Sequence, residues 1–256
     1  MPMSKNIQRK GIILAAGLGS RMRNEKTDAN CKPLMLVDNI SLLIRTIHSL
    51  EIAACERVII VLGYQAEKIK NYIRAEYEGN VRLEFVVNHK FDLQNGISVL
   101  AAEPFAGSEF VLTMADHILS DEIMLSIRDH HPPKGGATLC VDFKINTIFD
   151  IQDATKVLAE GSHIKQIGKE LKKYNCIDTG VFIGTSGLMA AIHSVYEQRG
   201  DASLSEGVQL LARRGLMQIL DIKDAFWQDV DNMDMLQHAE KLMQEKSESI
   251  HVYRPN

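Results

Sequence analysis

The chain has 256 residues, of which 45% are hydrophobic and 24% charged, and its net charge is -4. That length can bury one large core or two small ones, while the slightly acidic balance excludes the broad basic field of a nucleic-acid-binding protein. Four scattered cysteines (Cys31, Cys55, Cys140, Cys176) form no CxxC pair, which excludes an obvious zinc cage or disulfide framework and leaves reduced cytosolic thiols.

In chain order, Met1 to Lys10 is polar and lacks a signal-peptide apolar region. The apolar run Gly11–Ala16 reads as a buried strand and breaks into a glycine-rich turn, Gly17-Leu18-Gly19-Ser20-Arg21-Met22. Helices are expected over Ser41–Glu51 and Gln65–Tyr77, and strands over Arg57–Gly63, Arg82–Asn88 and Phe110–Met114, with a further helix beginning at Ile97. Repeated strand–helix–strand units with continuous apolar strands predict a parallel sheet covered on both faces. The second half is richer in strands: Ala137–Phe143, Thr155–Leu158, His163–Ile167, Ile177–Gly184 and Met217–Asp221. Helices near Ser186–Gln198, Leu204–Arg213 and Met233–Lys246 complete it. No repeat and no long linker separates two domains. A single domain is expected, with a first half over about 10–135, a β-rich second half over about 136–231 and a terminal helix over 232–247. No apolar run approaches the roughly 18–20 residues that span a bilayer, so a cytoplasmic protein is expected.

Three segments carry chemistry. At the end of a buried strand, glycines let backbone N–H groups approach phosphate oxygens, and Arg21 and Lys32 add fixed positive charge there. Met22 occupies the third glycine position of a dinucleotide fingerprint, and a Gly-Lys-Ser/Thr ending is absent, so neither a nicotinamide fold nor a Walker loop fits. Arg23 and Lys26 read either as helpers or as solvated loop charges. The second segment is Phe110–His117, where Asp116 sits at a strand end. A carboxylate there needs compensation for desolvation, and with a phosphate loop nearby a magnesium ligand explains it better than a helix cap. The third is Trp227-Gln228-Asp229-Val230-Asp231-Asn232. Asp231 is favoured as the second metal ligand, with Asp229 as its neighbour and alternate, against a competing reading in which Asp231 or Asn232 caps the last helix. Asn88 and the turn Gln94-Asn95-Gly96-Ile97-Ser98 supply amides that suit a pyrimidine edge, or else an ordinary helix cap.

The run from Leu14 to Leu34, L-A-A-G-L-G-S-R-M followed by K-P-L, resembles the signature of nucleotidyltransferases with the GT-A-like α/β fold. The stretch from Asp150 to Gly184, the M-A-D-H strand end, S-L-S-E at 203–206 and the W-Q-D-V-D turn resemble CTP:inositol-1-phosphate cytidylyltransferases, over nearly the whole ordered chain. The resemblance implies a Rossmann-like, mostly parallel central sheet with helices on both faces and a β-rich acceptor half. It implies that Leu14, Ala15, Ala16, Gly17, Gly19, Ser20 and Ala115 join Asn88, Asn95, Gly96 and Ser98 around CTP. Arg21 and Lys32 would be catalytic, and Mg2+ would be held by Asp116 and Asp231. The second half would form the acceptor pocket: Lys169 would meet the acceptor phosphate and Asp178 its hydroxyls, with Lys156, Thr179 and Gly180 beside them. The membrane-embedded phosphatidyltransferase domain often fused in that family has no expected counterpart in these residues. The implied reaction moves CMP from CTP to a phosphorylated small alcohol, inositol 1-phosphate first. Phosphocholine, a hydroxyalkylphosphonate or a sugar 1-phosphate are the alternative acceptors, and phosphocholine would want an aromatic cage. An oxidoreductase and a silent nucleotide-binding subunit are the readings from other classes. A homodimer is compatible with the chain.

Overall fold

The computed structural model describes residues 9–19 and 31–245. Strand β1 (Lys10–Ala15) is followed, beyond the described gap, by a 3-10 turn at Lys32–Leu34 and a small hairpin of β2 (Leu36–Val37) and β3 (Ile40–Ser41). Then come α1 (Leu42–Ile52), β4 (Arg57–Leu62), α2 (Ala66–Glu76), β5 (Arg82–Val87), α3 (Asn95–Ala101), α4 (Glu103–Ala106), β6 (Glu109–Met114), β7 (His117–Leu119) and α5 (Asp121–Arg128). The second half contains β8 (Ala137–Asp142), β9 (Lys156–Glu160), β10 (His163–Gly168), β11 (Cys176–Thr185), α6 (Ser186–Arg199), α7 (Leu204–Arg213), β12 (Met217–Asp221), β13 (Trp227–Asp229) and α8 (Met233–Glu245).

One nine-stranded sheet runs through both halves in the order β5-β4-β1-β6-β11-β8-β12-β10-β9. Its first four strands are mutually parallel. Strand β11 then enters antiparallel to both β6 and β8, β12 runs parallel to β8, and β10 lies antiparallel between β12 and β9. The parallel block therefore follows the continuous apolar runs, and the strand-rich half supplies the mixed part.

The alternation along β1 shows why those runs are continuous. Ile12 and Leu14 pack with residues of α3, α6 and α7 such as Val99, Ile192 and Val208. Ile13 and Ala15 face the other way, against Leu43, Ile47, Ile73 and Ile123 of α1, α2 and α5. A strand covered on both faces has no polar side to show. Short elements that bury few residues escape such pattern reading. Strand β7 has three residues and exists because it pairs with β13, and α5 buries only Ile123, Met124 and Ile127.

Strand β1 lies between β4 and β6, so the chain reverses its order of strand addition at the carboxyl end of β1. Ligands of open α/β sheets bind at such a switch point. Here the two strand ends are stitched together by the Ala115 N–H, which donates to the Leu14 carbonyl at 3.1 Å. Among the described residues no helix is long and apolar enough to cross a membrane.

Candidate active site at the switch point

Three residues far apart in sequence meet above this switch point. The ammonium of Lys32, only 11% exposed, donates to Asp116 Oδ2 at 2.5 Å and to Asp231 Oδ1. Lys32 is aimed by the rigid Lys-Pro-Leu turn that it opens. Gly19, at φ +60, lies over it where a Cβ would stand 3.2 Å from the Cβ of Lys32; a side chain there would be strained as well as crowded. Asp116 follows β6 directly. Asp231 is delivered by β13, in which Asp229 pairs opposite His117 and the next N–H, that of Val230, donates to the Asp116 carbonyl at 2.9 Å. The competing helix-cap role falls to Asn232, whose Oδ1 accepts from the Met235 N–H at 2.9 Å. Asp231 thus keeps its carboxylate in the cleft.

The electrostatics follow from this packing. Burial pushes the Asp116 carboxyl up, but Lys32 and the His117 hydrogen bond outweigh it and hold the group well below the usual carboxylate range. Burial likewise pulls Lys32 down, and the two carboxylates more than reverse it. His117 Nδ1 lies 2.7 Å from Asp116 Oδ1, and its ring stacks on Trp227 at 6.0 Å between centroids. Burial lowers this imidazole, and Asp116 and Asp229 raise it further than burial lowers it. Asp229 itself is raised, by burial first and then by the neighbouring charges of Asp231 and Asp116. Its Oδ1 accepts from Gln228 Nε2 at 3.2 Å.

These groups line a cleft of about 450 Å³, within the range of small-molecule sites. Of the residues expected around a nucleotide, Leu14, Ala15, Ala16, Gly17, Gly19, Asn95, Ser98 and Ala115 line it. Asn88 and Gly96 do not. Asn88 is buried, gives its amide to Ser98 Oγ at 3.0 Å and accepts from the Lys90 N–H, so it supports Ser98 from behind. Gly96 lies in the first turn of α3, where a Cβ would come within 2.4 Å of the Ala202 carbonyl oxygen; it serves helix packing. The expected open turn at 94–98 is helical from Asn95 onward. Ser20, Arg21, Arg23 and Lys26 lie outside the described residues.

Lys169, Asp178, Gly180 and Asp153 also line this cleft. Asp178 sits where the pairing of β11 with β8 shifts register between Asp178 and Phe182, a bulge that re-aims a side chain. Its Oδ1 accepts from the Gly180 N–H at 2.7 Å. Gly180 has φ +74, and a Cβ there would fall 2.7 Å from His117 Nε2, so glycine is required by both backbone and neighbour. Burial raises Asp178 to about 6 against the Gly180 N–H and His117, which lower it. Two expected acceptor residues are corrected. Thr179 is buried and donates to the Cys140 carbonyl at 2.8 Å, and Lys156 is buried with its ammonium on backbone carbonyls; both are outside the cleft lining.

The cleft also contains residues that were not expected. His117 and Trp227 belong to quoted motifs, M-A-D-H and W-Q-D-V-D, whose carboxylates drew the attention. Ser205 and Leu204 come from S-L-S-E, a segment that is also a capping box: Ser203 Oγ accepts from the Glu206 N–H and Glu206 Oε2 from the Ser203 N–H. Phe91 and Leu93 lie in a loop with no pattern to read. Among the described residues no three His, Cys, Asp or Glu side chains gather as a metal site. The two carboxylates that do converge, already on one cation, fit magnesium, which takes one or two carboxylates and fills its remaining positions with water and phosphate oxygens.

A cleft at the switch point, with a glycine turn beside a lysine held by two carboxylates, suits an anionic phosphate ligand, and comparison with known proteins makes the chain a nucleotidyltransferase. The chain belongs to the family of MobA-like NTP transferase domains, whose model matches residues 11–147. It is 30% identical over 250 residues to a protein of Rubrobacter xylanophilus named bifunctional IPC transferase and DIPP synthase, covering 95% of this chain and 54% of that one. The protein of the same name from Aquifex aeolicus is 29% identical over 91% of this chain and 51% of its own. The chain thus spans about half the length of these relatives. Among solved structures, the inositol-1-phosphate CTP transferase from T. maritima superposes with a TM-score of 0.82 at 26% identity, over 95% of this chain and 98% of that one.

Proposed function

We propose that this domain transfers CMP from CTP to inositol 1-phosphate, giving a CDP-alcohol and pyrophosphate. The observation that carries the reading is the meeting of Lys32, Asp116 and Asp231 in a cleft that also offers a second cation, Lys169, and the buried carboxylate of Asp178. The names of the relatives supply the choice of CTP and of inositol phosphate. Residues of the first half hold the nucleotide, and the wall built by the second half holds the acceptor.

In the reaction an acceptor phosphate oxygen bonds to the α-phosphorus of CTP while the bond to the oxygen bridging the α- and β-phosphorus breaks and pyrophosphate leaves. A phosphate is already ionised at neutral pH, so no general base is needed. The barrier is repulsion between anions and their placement. Magnesium bound by Asp116 and Asp231 would supply charge neutralisation at the phosphates. Lys32, held in place by the two carboxylates, binds the oxygens that gain charge. Arg21 also acts on the triphosphate. Asn95 and Ser98 face the base, with Ser98 oriented by Asn88. Lys169 receives the acceptor phosphate, and Asp178 accepts a hydrogen bond from an acceptor hydroxyl.

The test is pyrophosphate release with magnesium across CTP, UTP, ATP, GTP and dTTP paired with inositol 1-phosphate, phosphocholine, a hydroxyalkylphosphonate and glucose 1-phosphate. CTP with inositol 1-phosphate should give the highest kcat/KM. A higher value for any other pair replaces the assignment. Within the proposed pair, Lys169→Ala should raise the KM of inositol 1-phosphate by about tenfold or more, the worth of a charge-assisted contact, with the KM of CTP unchanged. If CTP binding alone weakens, the two walls have been assigned the wrong way round.

A further inference from the structure

Behind the lining residues Asp153 and Lys169 lies a lysine that is not itself part of the cleft lining. Lys156 opens β9 and is 8% exposed. Its Nζ donates to the carbonyls of Gln152 at 3.2 Å, Ala154 at 3.2 Å and Lys169 at 2.9 Å, three acceptors for the three donors of an ammonium. The Tyr174 ring lies 6.0 Å away. The first two carbonyls flank Asp153. The third belongs to the residue whose side chain meets Asp153, since Lys169 Nζ lies 2.8 Å from Asp153 Oδ1. The carbonyl of Thr155, next along the chain, accepts the Asp178 N–H at 2.9 Å. Lys156 therefore sits at the one point where the segments bearing Asp153, Lys169 and Asp178 come together.

The segments that carry Asp153 and Lys169 lie outside the strand ladders: residues 149–153 form a turn that ends in a bend at 154, and 169–170 form a turn after β10 that runs into bends at 172–173. The two segments meet through Lys169 Nζ on Asp153 Oδ1 and, behind that contact, through the carbonyls that share the Lys156 ammonium. A buried ammonium is costly to desolvate and is retained where its hydrogen bonds offset that cost. A neutral side chain of the same length would fill the space but remove the backbone link that backs the Asp153–Lys169 contact.

We propose that Lys156 is the positioning residue of the acceptor wall. Through three backbone carbonyls it fixes Asp153 beside Lys169, and the Asp153 carboxylate in turn holds the ammonium of the half-exposed Lys169 side chain at the cleft. The acceptor's anionic group then meets a cation that is already ordered, so less freedom is lost on binding. The inference rests on the reading of this wall as the acceptor side.

The experiment is steady-state kinetics with CTP and inositol 1-phosphate on Lys156→Met, Lys169→Ala and the double variant, with thermal unfolding of each. Lys156→Met should raise the acceptor KM by about tenfold, the scale of effect a misplaced binding group produces, with the CTP KM within about twofold of the parent. The double variant should be no worse than Lys169→Ala alone, because Lys156 acts through Lys169. Effects that multiply in the double variant, or an unchanged acceptor KM in Lys156→Met, overturn the proposal. If Lys169→Ala itself leaves the acceptor KM unchanged, the acceptor reading fails and the proposal falls with it; if only Lys156→Met is silent, the acceptor reading stands and the positioning role is gone. Should Lys156→Met not fold, Lys156→Gln, which keeps two N–H donors, gives the same comparison with a smaller rise.

Discussion

Lys32→Ala should lower kcat by about three orders of magnitude or more, the range lost when a preorganised charge is removed from a phosphoryl-type transition state. The geometry makes Lys32 unusual among the cations of the cleft. It is nearly buried and shared between Asp116 and Asp231, so it is held in place before substrate arrives. Its removal has a second consequence. The two carboxylates lose their common counter-ion, and divalent-metal binding without nucleotide should tighten, because no ammonium competes for the same oxygens. Titration calorimetry with Mn2+ on parent and variant reads this apart from turnover. The acid limb of stability should change as well. A carboxyl held below its ordinary value, as Asp116 is, contributes stability that is present above the ordinary carboxylate range and is lost as pH falls through the lowered value. Without Lys32 much of that contribution disappears, and the loss of stability toward low pH should flatten. Turnover near the parent level in Lys32→Ala would remove this residue from the chemistry.

What could be read from the sequence followed the length scale of each signal. The parallel block was legible because a strand buried on both faces must be apolar throughout, and Arg57–Leu62 has no other explanation. Lys32, Asp116 and Asp231 were legible as types: a cation after a glycine turn and carboxylates at strand ends are costly unless they meet. Their meeting depends on β13 pairing with β7, two three-residue strands joined across more than a hundred residues, and no local pattern encodes that. The misplaced residues fail for the same reason. Lys156 and Lys169 are both lysines near strand boundaries, and only the fold reveals that one donates to carbonyls behind the wall while the other faces the cleft. Asn88 and Ser98 looked equivalent as amide and hydroxyl partners for a base, yet one is spent holding the other. Asp178 was legible as a carboxylate in the right half, but the bulge that turns it inward was not.

That bulge leads to the second large effect. Asp178→Asn should stabilise the protein at pH 8 and damage it as an enzyme. Burial raises this carboxyl from 3.8 to about 6, so the folded chain binds the proton more tightly than the unfolded one. By linkage, stability falls as pH rises through this interval and the full cost is present above it, about 3 kcal/mol for roughly two units. Asparagine removes the charge and keeps an oxygen to accept the Gly180 N–H that Asp178 now holds at 2.7 Å. The melting temperature at pH 8 should therefore rise by several degrees, roughly 5 °C for a chain of this size, while parent and variant should melt alike near pH 4. Against that gain, the KM of inositol 1-phosphate should rise by about 10²-fold, since a carboxylate accepts a hydroxyl's hydrogen bond more strongly than an amide does. A charge that weakens the fold and is nonetheless built into a bulge facing the cleft is accounted for by a ligand that uses it. Equal gains at both pH values would show that Asp178 is not the ionised group responsible, and a stabilised variant with an unchanged acceptor KM would leave the carboxylate without a partner in the reaction.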